Sequence, residues 1–134
     1  MSKEQEMQKK IVQFQILESN LKMLQERADM ISQKIDEFQL TKQAISDLES
    51  TEPSKAMIPL GCGNFVLGTV ENMDEIIVNV GNNIALKKKR KDAIRLLDER
   101  ITDAENDLND ITKKSHTLIK SLERLQIELQ QMQG

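Results

Sequence analysis

The sequence predicts an α+β protein: a long antiparallel two-helix coiled coil with two tandem β-hairpins between its helices. Three observations carry that expectation. Apolar residues fall on a seven-residue grid in the first and last thirds of the chain, and the middle is rich in β-branched residues and turn formers. The composition is the third. Of 134 residues 31% are charged and 2% aromatic, with no Trp and no Tyr, which suits a narrow helical seam better than a broad globular core.

Residues 1–50 are read as the first helix. With Phe14 at heptad position a, the a series is Met7, Phe14, Leu21, Ala28, Ile35 and Lys42, and the d series is Lys10, Leu17, Leu24, Ile31, Phe38 and Ile45. Two lysines interrupt the seam, where a long stem can pack while its ammonium reaches water. Residues 91–134 are read as the second helix. Its a series is Ile94, Ile101, Leu108, Ser115, Leu122 and Leu129, and its d series is Leu97, Ala104, Ile111, Leu118, Leu125 and Met132. Neither grid is broken by proline or glycine, so each predicts a rod on the order of 60 Å at 1.5 Å per residue.

Residues 51–90 change character. They hold both prolines, four of the five glycines, and runs such as Phe65-Val66-Leu67 and Ile76-Ile77-Val78-Asn79-Val80. Strands are expected near 56–61, 64–71, 75–81 and 84–88, with turns at Cys62-Gly63, Asn72-Met73-Asp74 and Gly81-Asn82-Asn83. Two hairpins bury too little to stand alone. Several chains are therefore expected to pool them into a shared sheet or barrel, making 51–90 an oligomerisation platform.

Two helices separated by so short an insert can fold back on one another, with each a position facing a d position. The register that fills the most layers sets Met7 against Met132, Phe14 against Leu125, Leu21 against Leu118, Ala28 against Ile111, Phe38 against Ile101 and Ile45 against Ile94. Small residues then face large ones in several layers.

Nineteen basic and 22 acidic side chains leave a net charge of −3, which argues against nucleic acid or an anionic membrane as a partner. The one local exception is Lys87-Lys88-Lys89-Arg90-Lys91, at the expected start of the second helix. The register places it beside Asp47, Glu49 and Glu52, so mutual neutralisation across the two helix ends accounts for both clusters. With a single cysteine and no apolar run long enough to span a bilayer, a soluble chain in a reducing cytoplasm is expected.

No constellation of side chains points to catalysis. Cys62 stands between Gly61 and Gly63, but the next glycine, Gly68, breaks the G-x-G-x-x-G spacing, and the triplet reads as a hairpin tip. His116, the only histidine, falls at an outward position of the second helix, roughly 40 Å of helix from the β segment. No cluster has metal-ligand spacing. Neither an enzyme nor a cofactor nor a metal is expected.

Apolar residues beyond the seam gather toward the termini: Ile11, Val12 and Ile16 in the first helix, Ile119 and Ile127 in the second, and none of large size between 98 and 118. Such a surplus can hold unfolded chains without reading sequence, because hydrophobic contact is non-directional. The candidate client-binding residues are Met7, Ile11, Val12, Phe14, Ile16, Ile127, Leu129 and Met132, with Met23 and Met30 as further pliable surface. The ordinary reading of such residues, on the sequence pattern alone, is a wider stripe facing another subunit or scatter on the surface. In the hairpins Phe65, Leu67, Val70, Ile76, Val78, Val80, Ile84 and Leu86 are candidates for barrel interior or intersubunit contact, with an ordinary intrachain core as the alternative.

Helix, β segment, helix, with "MIPLGCGNFVLGTVENMDEIIVNVGNNIALKKKRKDAIRLLDERI" across residues 57–101, resembles the prefoldin subunits, and two hairpins between the helices resemble the alpha type, archaeal-like. The resemblance implies an ATP-independent holding chaperone. In it two alpha-type and four beta-type subunits pool their hairpins into a β-barrel platform, and the coiled-coil ends grip unfolded proteins and pass them to a group II cytosolic chaperonin. The competing expectation is a structural coiled-coil adaptor that binds one folded protein.

Overall fold

The computed structural model describes residues 2–49, 54–71 and 73–133, with Glu49 and Ser54 as backbone only. Helix α1 runs Lys3–Ser46 and ends in a 3-10 turn, Asp47–Glu49. Four strands follow, β1 Ser54–Gly61, β2 Asn64–Val70, β3 Glu75–Gly81 and β4 Ile84–Lys89, and then α2 at Arg90–Gln133. The expected strands are all present. Of the link expected at 72–74, Asn72 lies outside the described residues; Met73 is buried.

The chain forms two compact units, one of Met1–Ile35 with Asp103–Gly134 and one of Asp36–Thr102. In the terminal unit α1 starts from a capping box. The Gln5 N–H donates to Ser2 Oγ and the Ser2 N–H donates to Gln5 Oε1, each at 3.3 Å, which satisfies two backbone donors at the helix start. Glu4 and Glu6 add negative charge where the helix dipole favours it. Along this unit every a and d residue from Met7 to Ile35 and from Ala104 to Met132 is at least half-buried, while most of their neighbours face solvent.

The interrupting lysine of this seam finds a partner. Lys10 Nζ lies 2.8 Å from Glu128 Oε2 on the other helix, one residue from the Leu129 position that faces d in the expected register. In the second unit Lys42 Nζ lies 2.6 Å from Asp98 Oδ1, one residue off in the opposite sense. The two pairs bracket the expected register. Cysteines replacing Leu21 and Leu118 should therefore form a disulfide on mild oxidation, and cysteines replacing Leu21 and Leu125 should not, as read on a non-reducing gel. The reverse result would place the helices a heptad out of register.

In the second unit the core is Ile45, Ala93 and Leu97, with Phe38, Ile94, Ile76 and Val78 packed against it. Ala93 is fully buried and Leu97 is 7% exposed. Truncating a buried leucine removes transfer energy and leaves a cavity, so Leu97→Ala should cost about 2–5 kcal/mol in chemical denaturation of the assembled protein. A change below about 1 kcal/mol would mean the site collapses without loss.

Each hairpin is its own two-stranded antiparallel sheet. In the first, Met57 faces Leu67, Ile58 faces Val66 and Pro59 faces Phe65; in the second, Ile76 faces Lys88, Ile77 faces Lys87 and Val78 faces Leu86. Both turns are built alike. Central residues Cys62 (φ 52°) and Gly63 (φ 79°) in one, and Asn82 (φ 53°) and Asn83 (φ 60°) in the other, have the positive φ that the I′ type of hairpin turn requires. Gly61 and Gly81, at φ 119° and 107°, stand just before each turn, where the pairing shifts register. Only glycine takes that conformation without strain.

The basic run is placed differently from the sequence reading. Lys87, Lys88 and Lys89 end β4, and only Arg90 and Lys91 belong to α2. Its contacts are also different: Lys87 Nζ approaches Glu75 Oε2 at 4.0 Å, while Asp47 accepts a bond from Gln43 Nε2 at 2.9 Å. Glu52 and the Glu49 side chain lie outside the described residues. A paired hairpin places Lys87 beside its own cross-strand neighbours, while Arg90, toward the other end of the run, reaches the Leu48 carbonyl in the turn that ends α1.

Candidate functional site

The terminal unit separates the candidate client-binding residues into two groups. Met7, Phe14, Leu129 and Met132 are half-buried in the seam. Ile11, Val12, Ile16 and Ile127 are 39%, 52%, 54% and 56% exposed. The seam therefore uses the first group to hold the helices together, and the second is left with aliphatic surface in water, along with Ile119, Met23 and Met30. Heptad geometry explains the division, since only a and d point inward.

The hairpins divide their apolar residues in the same way. Ile76 and Val78 point from one face of the second hairpin onto the Ile45, Ala93 and Leu97 cluster, so these two belong to the chain's own core. Val70 is half-buried. Phe65, Leu67, Val80, Ile84 and Leu86 are exposed. Sequence reasoning missed further members of this surface: Met57, Ile58, Leu60 and Val66 in the first hairpin and Ile77 in the second. In the first hairpin the cross-strand pairs Met57–Leu67 and Ile58–Val66 lie on opposite faces, and both pairs are exposed. The signal was available, because a run apolar at successive positions marks a strand meant for cover on two faces.

Arginines hold the second hairpin to the helices, and the sequence did not mark them for this. The Arg90 N–H donates to the Asp74 carbonyl and its guanidinium to the Leu48 carbonyl, both at 2.9 Å. Arg100 donates to the Asn79 carbonyl at 2.9 Å. These bonds reach main-chain acceptors in the 3-10 turn after α1, just before β3 and within β3.

Cys62 is exposed at its hairpin tip. Among the described residues no three His, Cys, Asp or Glu side chains gather as metal ligands would, and no helix is long and apolar enough to cross a membrane. Among the described residues apolar surface lies near the termini, along α1 at Met23, Met30 and Leu40, and on the hairpins. The fold defines a class: two long helices with two antiparallel β-hairpins between them.

The chain belongs to the prefoldin family, whose model, described as prefoldin subunit, matches residues 17–134. Its relatives are of the alpha type. The prefoldin subunit alpha of Thermococcus onnurineus is 32% identical over 91 residues, covering 66% of this chain and 62% of that protein. That of Methanobrevibacter smithii is 30% identical over 87 residues, covering 65% and 60%. In both cases the match spans less than two thirds of the relative. That of Archaeoglobus fulgidus is 28% identical over 130 residues and covers 96% of this chain and 95% of its own. Among solved structures, a chain of filamentous PFD from Methanocaldococcus jannaschii shares the fold, with TM-score 0.75 at 18% identity over 85% of this chain and 95% of that one.

Proposed function

We propose that this chain is the alpha-type subunit of an ATP-independent holding chaperone, which binds non-native polypeptides at its coiled-coil ends and delivers them to a group II chaperonin in the cytoplasm. The observation that carries the proposal is the exposure of Ile11, Val12, Ile16 and Ile127 near the termini. Aliphatic surface with no fixed partner binds any chain that offers apolar side chains, and releases it without nucleotide chemistry. No catalytic step is required.

The hairpins supply assembly. Their exposed apolar faces and unpaired strand edges are closed by other subunits, in the reading of two alpha-type with four beta-type chains sharing a β-barrel. Native mass with and without a beta-type partner tests this, and it also separates a closed hexamer from a filament such as the Methanocaldococcus jannaschii neighbour forms.

The decisive assay is aggregation. The assembled protein, at stoichiometric amounts and without ATP, should keep several unrelated denatured proteins in solution. Protection of none, with tight binding of one folded protein, would favour a coiled-coil adaptor.

A further inference from the structure

Between the terminal turns and residue 35, one side of the coiled coil differs from the rest. An open groove is lined by Asn20, Met23, Leu24, Arg27, Lys114, Thr117 and Leu118 and encloses about 510 Å³. A water's share of liquid volume is about 30 Å³, so the groove is sized for side chains. Its floor is apolar, and Met23 is 64% exposed. Its rim is basic: Arg27 and Lys114 come from opposite helices, and neither makes an ion pair among the described residues. Another groove of this unit, at Phe14, Leu21 and Leu122, instead has Glu18 and Lys22 together on its rim.

The surface continues beyond the groove. Ile16, Met23 and Met30 all take position c and are exposed, so they form a line at heptad spacing, about 10 Å apart along α1. On α2 the same side carries Lys114, Thr117, Ser121 and Arg124, with Asp107 and Asp110 toward the Met30 end. Outside the groove the line also passes Glu26, Asp107 and Asp110, whereas the groove's own charged lining residues, Arg27 and Lys114, are both cations in a chain whose net charge is negative.

We propose that this side is a docking groove for an acidic amphipathic helix of another protein, which lays heptad-spaced apolar residues on Met23 and Met30 and sets carboxylates against Arg27 and Lys114. The heptad spacing selects a helix, since an extended chain would meet these side chains out of phase. The two unpaired cations select its charge. The methionines let it adapt to differing side chains. This reading does not depend on client capture at the termini.

The test uses the assembled protein and a labelled synthetic helix of about three heptads, with Leu at a and d and Glu at the flanking positions. Fluorescence anisotropy should show saturable binding that weakens at least about tenfold as salt rises from about 50 to about 500 mM. Reversing both charges, Arg27→Glu with Lys114→Glu, should weaken the acidic helix by about tenfold or more and create binding of the same helix with Lys in place of Glu. The gain of the lysine helix shows that the double variant is folded. Equal binding of both helices by the unaltered protein, or no saturable binding, would overturn the proposal. Displacement of the acidic helix by a stoichiometric unfolded protein would overturn it too, making the groove part of the client surface.

Discussion

Removing residues 1–16 and 126–134 from the assembled protein should abolish suppression of aggregation while leaving its native mass, corrected for the lost residues, unchanged. The deletion takes away Ile11, Val12, Ile16 and Ile127, the exposed aliphatic residues near the termini. It also removes the outer seam layers of Met7, Phe14, Leu129 and Met132 and the Lys10–Glu128 pair, so a finer variant is needed. Replacing only the four exposed residues by serine keeps the seam. Burying an aliphatic side chain is worth about 1.5–3 kcal/mol, and about 1.4 kcal/mol is a tenfold change in affinity. Partial loss at four positions should thus weaken capture of a denatured protein by about a hundredfold or more. Light scattering during dilution from denaturant measures this, and unchanged protection by the serine variant would move the client surface elsewhere.

Leu67→Asp should dissociate the assembly while the chain keeps its helices. Leu67 is 74% exposed and sits opposite Met57 on an apolar hairpin face, so the carboxylate costs little in the isolated chain. Within a subunit contact it would lose its water without gaining a partner, a cost of several kcal/mol. Native mass should fall to that of smaller species with the helical circular dichroism retained; an intact assembly would place this face outside the contacts. Val78→Asp is the less informative change. Val78 packs on Ile45, Ala93 and Leu97, and a charge there damages the chain's own core before it reaches any neighbour.

The helices and strands were legible because each rests on a periodicity of one residue type. Seam burial follows the heptad letters from Met7 to Met132, and the hairpin turns follow from Gly, Cys and Asn at positions that need positive φ. What stayed hidden depends on contacts between elements. No pattern distinguishes Val78, which meets the helical core, from Leu86 across the ladder, which does not. Arg90 and Arg100 were hidden for a similar reason, since they bond to main-chain carbonyls that have no sequence signature. At the termini, periodicity marked Ile11 and Ile127 as surplus to the seam. It included Phe14 and Leu129 with them only because all lie near an end.

The two seam lysines carry information that the apolar residues lack. Apolar residues at nearly every a and d position make the pairing degenerate modulo seven: a helix displaced by one heptad still sets apolar against apolar almost throughout. Lys10 with Glu128 and Lys42 with Asp98 break that degeneracy. Displaced one way by a heptad, Lys42 comes level with Arg90 and Lys91, and Lys10 with Ser121 and Leu122, so both ion pairs are lost. Each exposed pair contributes little to stability by itself. As parity checks they raise the free energy of the misaligned states, and the chain keeps a single alignment over a seam that would otherwise admit several.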